Sequence, residues 1–474
     1  MQPVDIARYK YKETLHDQCG VFGIYAPDTE VAKITYYALH SLQHRGQEGA
    51  GIAVSDGQKL RSIRHMGLVT SVFNEENLSK LQGFIAVGHN RYSTTGGNTP
   101  QNTQPVIIPG NGNFFAVAHN GNIVNADLLA KKLVGVKRFS TSDTEVLALS
   151  IFHNPKPSWE EKILAASKDF IGAYSIIAVT KNKLFAFRDP WGIRPLVIGK
   201  LNGYYVVASE TCALDTIGAN YIRDVGNGEV ISIDSSGLTT IGMIGKKPLK
   251  FCLFEYVYLA RPDSLLNDVL VHEVRQRSGK ILAHEAPVAG DLVVAVPDSG
   301  TSAALGYSQA SGIPFGEVLI KNRYIGRTFI APEQHIREQG VKAKFNPMKK
   351  IVFGKRLIVV DDSIVRGTTM KKIVEVLRKC GAREVHIRIC SPPVRHSCYF
   401  GVDTPNRKHL IASHRKISAI NSFIGSDSLR FLSLKGLIKA SKLKASRLCT
   451  ACFSGKYPMK VNYGFSKNIL ENVC

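Results

Sequence analysis

The chain has 474 residues, too many for one ordinary hydrophobic core, so two domains of roughly 200 residues each are expected. A hydrophobic content of 44%, a mean hydropathy of -0.04 and no run of about 18 apolar residues exclude a membrane-spanning helix and suit a soluble globular protein. The net charge of +23 is uneven: residues 1–250 carry 26 Lys and Arg against 21 Asp and Glu, residues 251–474 carry 35 against 17. That surplus fits a polyanionic ligand, nucleic acid or a Lys-rich solvated surface. No aromatic-basic interleaving and no DNA-reading motif accompany it, so no specific nucleic-acid partner is expected.

Residues 1–18 lack the apolar centre of a signal peptide, and their acidic residues argue against a transit peptide. Nine cysteines at irregular spacing fit thiols or metal ligands in a reducing compartment, the cytoplasm, better than disulfides. The run Cys19-Gly-Val-Phe-Gly-Ile-Tyr then reads as a short strand, in which a lone Cys19 is ordinarily a small core residue. A helical pattern covers Val31 to Leu42 and leads into Arg45-Gly-Gln-Glu-Gly-Ala-Gly. Further polar clusters follow at 89–96, 118–122 and 142–145. Each is expected to follow an apolar strand (Ile85 to Val87, Phe114 to Val117) or to open a helix near Thr144. Polar residues gathered at strand ends from separate segments point to one site.

Together these segments resemble the class II, N-terminal-nucleophile glutamine amidotransferase domain, from Cys19 to about Asp234. The resemblance implies a propeptide at 1–18 and a freed Cys19 whose thiol attacks glutamine while its own α-amine acts as base. It implies an oxyanion hole of the Asn120 amide and the Gly121 N–H, with Arg91 on the α-carboxylate of glutamine and Asp143 on its α-ammonium. Taken singly, Arg91 reads as a surface ion pair and Asp143 as a helix cap. Strands at Ser175 to Val179, Leu184 to Phe187 and Tyr204 to Ala208 complete an αββα sandwich. Lys246-Lys-Pro248 marks the linker, giving domains 19–250 and 251–474.

In the second half, Leu292 to Val296 is a buried-strand run followed by Pro-Asp-Ser-Gly-Thr-Ser at 297–302 and a small-residue helix. Residues 321–344 are cationic, glycine-dotted and aperiodic, as either a closing lid or an ordinary solvated loop would be. Leu357 to Val360 is another fully apolar strand. It runs into Asp361, Asp362 and Ser363, then Arg366, Gly367, Thr368 and Thr369, a helix near Met370 and a strand at Val385 to Ile389. In this βαβ unit the helix N-terminus and hydroxyls suit a phosphate. The two carboxylates suit sugar hydroxyls or a divalent cation. An Asp-Ser helix cap alone would explain less of the stretch.

The stretch resembles the 5-phosphoribosyl-1-pyrophosphate (PRPP) loop of type I phosphoribosyltransferases, an α/β fold. The resemblance implies Mg²⁺ held by Asp361 and Asp362 with Ser299. Cys252, Cys398, Cys449 and Cys452, in their local contexts, match the iron–sulfur branch of glutamine PRPP amidotransferases, implying a [4Fe–4S] cluster; a Cys₄ set suits zinc as well. Cys380 and Cys390 read as packing residues, and Cys212 and Cys474 have no partners in the pattern. The expectation is an enzyme that hydrolyses glutamine and uses the ammonia to displace pyrophosphate from PRPP. By resemblance, purine nucleotides would inhibit it and it would form a homotetramer. Another N-terminal-nucleophile amidotransferase and a PRPP-sensing nucleic-acid-binding regulator are the competing readings.

Overall fold

The computed structural model describes residues 19–461 and 470, apart from 93–96, 98, 111, 322–344, 403, 405 and 406. The propeptide assigned to 1–18, nearly all of the lid assigned to 321–344, part of the 89–96 cluster and Cys474 lie outside the described residues. Among the described residues no helix is long and apolar enough to cross a membrane.

The first half is built from two antiparallel sheets. One has seven strands, in the order Asn220–Asp224, Val197–Leu201, Tyr204–Ala208, Gly20–Tyr25, Ile85–Arg91, Gly49–Ser55 and Leu60–Met66. The other has six: Gly237–Met243, Glu229–Asp234, Leu184–Arg188, Gly172–Val179, Asn113–Ile123 and Val106–Gly110. Period-two alternation explains how they stack. In Gly20–Tyr25, Val21 and Tyr25 pack with Ala116, Ala118 and Ile177 of the opposite sheet, while Phe22 and Ile24 pack with Leu39 and Leu42 around helix Val31–Ser41. Gly23 stands where a side chain could not, since a Cβ there would lie 2.6 Å from Ile177 Cγ2. Helices Ala126–Lys132, Asp143–Phe152 and Trp159–Ser167 cover the outer face of the second sheet. The result is the αββα sandwich.

Two strands run further than their apolar stretches imply. Ile85–Arg91 carries the backbone through His89 to Arg91, and Asn113–Ile123 carries it through His119 to Asn122. The ladder continues because the neighbouring strand still pairs there, with Asn120 opposite Ser175 and Gly121 opposite Tyr174. These polar side chains are buried at the end of the sandwich, so hydrophobicity alone underestimates the strand length.

The second half holds a four-stranded parallel sheet in the order Leu292–Ala295, Arg356–Asp361, Glu384–Ile389 and Ser428–Phe431. Helices Val271–Glu285 and Thr301–Ser311 lie on one face; Thr368–Lys379 and Ile417–Ile424 lie on the other. Coverage on both faces is why Leu357 to Val360, in the middle of strand Arg356–Asp361, are all apolar and buried. The segment read as a lid joins Leu319–Lys321 to Phe345–Pro347, two strands paired antiparallel.

A two-stranded parallel pairing closes the junction of the halves: Phe251–Cys252 lies beside Leu448–Cys449, with Cys252 directly opposite Cys449. Next to it a single turn of π-helix, Glu255–Leu259, buries Glu255 completely. That carboxylate pairs with Arg45 Nη2 at 2.7 Å and Arg194 Nη1 at 3.3 Å, and Arg45 also pairs with Glu210 through Nε. All four side chains are at most 1% exposed. Such a group holds only because every charge is matched.

Candidate functional site

Cys19 immediately precedes the strand Gly20–Tyr25 and is 4% exposed; its Sγ donates to the Tyr92 carbonyl at 3.3 Å. Burial pushes the thiol up to about 11, against the lowering influence of the Tyr92 hydrogen bond and the Arg91 guanidinium. Arg91 and Asp143, both expected at the site, act electrostatically on Cys19, and so does Glu48, which was not expected there. Arg91 is 3% exposed and donates to the Gly97 carbonyl at 3.0 Å, so it is no surface ion-pairing residue. Asp143 is no helix cap either. Ser142 caps the helix, accepting from Thr144 N, while Asp143 Oδ2 accepts from Ile123 N at 2.9 Å and lies 3.8 Å from His119 Nδ1.

Asn120 and Gly121 lie on the strand that delivers this Ile123 N–H. Asn120 is 1% exposed, and among the described residues neither its Nδ2 nor its Oδ1 has a hydrogen-bond partner. A buried amide costs free energy unless something satisfies it, so an unpaired one at the nucleophile end of the sandwich suits a developing oxyanion. Gly121 sits at φ +151°, and a Cβ there would lie 1.9 Å from the Ala173 carbonyl oxygen, so only glycine fits.

At the second site, strand Arg356–Asp361 ends on the expected carboxylates. Asp362 N donates to Asp361 Oδ1 at 2.8 Å, and Ser363 Oγ donates to Asp362 Oδ1 at 2.5 Å. Burial raises the Asp362 carboxyl, while hydrogen bonds from Ser299 and Ser363 and the charge of Arg275 work against that rise. Ser299 and Asp362 therefore meet, as the sequence suggested, and share a cavity with Arg275, Ser278 and Cys390. Gly367, at φ +79°, is the N-cap of helix Thr368–Lys379, with no side-chain cap. Arg366 Nε and Thr368 Oγ1 are buried without a hydrogen-bond partner among the described residues. An uncapped helix N-terminus beside an unpaired hydroxyl presents donors to an anion.

Cys252, Cys398, Cys449 and Cys452 line one cavity at the junction, together with Arg194, Phe254 and Phe400. Arg395 N and His396 N both donate to the Cys452 carbonyl at 3.0 Å, drawing the Cys398 segment to the C-terminal one. Among the described residues, no three His, Cys, Asp or Glu side chains converge on a single ion. The four thiols face a shared space with a buried guanidinium alongside, a donor set that fits a polynuclear cluster or one tetrahedral zinc.

Sequence reasoning missed the Arg45–Glu210–Glu255–Arg194 group, Arg275 beside Asp362, and Gln104, whose Oε1 accepts from His119 N at 2.8 Å. One signal was available: Glu255 is a lone charge inside the apolar run at 251–260, which demands a buried partner.

Residues 89–216 match the model of a glutamine amidotransferase domain, and residues 266–398 match that of a phosphoribosyl transferase domain. The chain is 49% identical over 467 residues to the amidophosphoribosyltransferase of Synechocystis sp., covering 96% of this chain and 94% of that protein. It is 46% identical over 454 residues to that of Bacillus subtilis, covering 94% and 95%. Among solved structures, glutamine PRPP amidotransferase from B. subtilis, complexed with ADP and GMP, superposes with a TM-score of 0.90 at 44% identity, covering 95% of this chain and 100% of that one. A structure described as the allosteric regulatory enzyme of purine biosynthesis gives 0.91 at 45% identity, covering 96% and 99%.

Proposed function

The chain belongs to the amidophosphoribosyltransferase family, and from that membership we propose how its residues divide the reaction. The activity is glutamine-dependent: glutamine is hydrolysed in the first half, and its ammonia displaces pyrophosphate from C1 of PRPP in the second. The products are 5-phosphoribosylamine, glutamate and pyrophosphate, the first committed step of de novo purine synthesis. In our reading, residues 1–18 are a propeptide, 19–250 the glutaminase and 251–474 the transferase.

Cleavage after Gln18 frees the α-amine of Cys19, which with a pKa near about 8 can take the thiol proton at neutral pH. Cys19 Sγ attacks the amide carbon of glutamine, and the oxyanion is met by Asn120 Nδ2 and the Gly121 N–H. The protonated α-amine gives its proton to the departing ammonia, and water hydrolyses the thioester to glutamate. Arg91 grips the α-carboxylate and Asp143 the α-ammonium. The convergence of both on Cys19 supports these roles.

At the second site Gly367, Thr368 and Thr369, with Ser363 and Arg366, bind the 5-phosphate, and Asp361 and Asp362 face the ribose hydroxyls. Mg²⁺ arriving with the diphosphate would be held by Asp361, Asp362 and Ser299, offsetting charge on the leaving group. Cys252, Cys398, Cys449 and Cys452 would hold a [4Fe–4S] cluster, whose contribution is to tie the C-terminal segment to the junction. Inhibition by purine nucleotides, a homotetramer and a cytoplasmic location complete the proposal. The complex of the B. subtilis protein with ADP and GMP supports the first of these.

The observation that carries this reading is that one chain pairs a buried Cys19–Arg91–Asp143 constellation with a carboxylate-flanked, uncapped helix N-terminus. The test is pyrophosphate release from PRPP driven by glutamine or by ammonium. Cys19→Ala should abolish the glutamine-driven rate and leave the ammonium-driven rate intact. A variant that still used glutamine would refute the assignment.

A further inference from the structure

The wall behind Gly121 comes from the other half of the chain. Gly401, at φ +102°, approaches so closely that a Cβ on it would lie 3.0 Å from both the Cα and the carbonyl carbon of Gly121. Two residues earlier, the Tyr399 carbonyl accepts from Asn122 Nδ2 at 2.9 Å. Between them, the Phe400 carbonyl accepts from Arg194 Nε at 2.6 Å and also from Arg194 Nη2. Arg194 is held in turn by Glu255, and Glu255 by Arg45. Three successive residues of the transferase half are thus fastened to the glutaminase half, two of them on the strand that carries Asn120 and Gly121. Phe400 N also donates to Cys398 Sγ at 3.3 Å, so the same segment runs directly out of the cysteine-lined cavity.

We infer that residues 399–401 position the oxyanion donors of the glutaminase, with Gly401 setting the place of Gly121. This rests on the reading of Asn120 and Gly121 as those donors. Gly401 touches no reacting atom; it is a positioning residue. An oxyanion donor works only where charge develops, and a misplacement of about 1 Å can cost about a hundredfold in rate. A contact of 3.0 Å leaves no slack, so a single added methyl group pushes Gly121 by a few tenths of an ångström.

The full-length protein carrying Gly401→Ala tests this. Its kcat for glutamine hydrolysis should fall about tenfold or more. Its KM for glutamine should stay within about twofold, because Arg91 and Asp143 are untouched, and ammonium-driven transfer should be unchanged. The informative probe is the γ-semialdehyde of glutamate, which forms a tetrahedral thiohemiacetal with the thiol. Its affinity should weaken by the same factor as kcat. Because alanine at a positive φ strains the backbone, Asn122→Ala, which removes the Tyr399 tether and leaves Gly401 in place, is the second variant and should show the same pattern to a smaller degree. Unchanged kcat and aldehyde affinity in both variants would overturn the inference, as would an equal loss of ammonium-driven transfer. If the parent protein bound the aldehyde no better than Cys19→Ala does, the oxyanion-hole reading itself would fall, taking the inference with it.

Discussion

Replacing Asn120 by alanine separates the cost of function from the cost of folding. Its amide is buried with neither polar atom paired among the described residues, so the folded protein carries an unsatisfied group worth about 1–3 kcal/mol. Truncation relieves that penalty while forfeiting a comparable amount of packing, and the net change in folding stability should lie within about 1 kcal/mol. In the transition state the same truncation removes a donor from the oxyanion. Such losses run to about 10²–10³ in kcat, or about 3–4 kcal/mol. The amide meets charge only as the reaction proceeds, so KM for glutamine should not move. Steady-state glutamine hydrolysis, ammonium-driven transfer and urea unfolding of the same preparation measure all three quantities. A kcat within threefold of the parent, or a stability loss above about 2 kcal/mol, would show that Asn120 is a structural residue and that the site has been misread.

The remaining predictions concern charge. While Gln18 is still joined to Cys19, the thiol near 11 should leave about a hundredfold less thiolate at neutral pH than the ordinary value of 9.0 would. Alkylation of Cys19, read by peptide mass, should therefore climb only toward pH 11 in the uncut chain and near pH 8 in the cut one; identical profiles would contradict the role of the freed amine. Asp362→Asn should reduce ammonium-driven transfer about tenfold or more while leaving glutamine hydrolysis without PRPP unaltered, and an unchanged KM for PRPP together with an unchanged rate would remove Asp362 from the site. Glu255→Ala leaves Arg45 and Arg194 facing each other without their shared carboxylate, and should cost about 3–5 kcal/mol by urea unfolding. A cost below about 1 kcal/mol would mean that water or another group replaces the carboxylate.

What could be read in advance was chemistry carried by neighbours in sequence. The loop from Asp361 to Thr369 declares its phosphate end and its carboxylate end within nine consecutive positions, and helix Thr368–Lys379 begins within two residues of where periodicity put it. The αββα layering was implied by the resemblance to the N-terminal-nucleophile domain, and the structure shows the alternation behind it in strands such as Gly20–Tyr25. What escaped depends on pairings across long loops. Arg45 meets Glu255 across 210 positions, and Arg194 meets Phe400 across 206; no local pattern encodes either partner. Cys390 was half understood: it is buried in the core as expected, but it also lines the cavity beside Asp362 and Ser299. Strand ends were misjudged for a related reason, because a buried polar residue such as Asn120 looks like a loop residue until its function is known.

The parallel pairing of Phe251–Cys252 with Leu448–Cys449 also orders events during synthesis. Both sandwich sheets, and the parallel sheet whose last strand is Ser428–Phe431, are complete in sequence before residue 448 is made. The two sheets of the first half can therefore close their core on the ribosome, while the core of the second half waits for Leu448, Cys449, Ala451 and Phe453 to emerge. A chain stopped short of Leu448 would keep all three sheets and the Arg45–Glu255, Arg194–Phe400 and Asn122–Tyr399 contacts between the halves, but would lack the strand that seats the C-terminal segment beside Cys252.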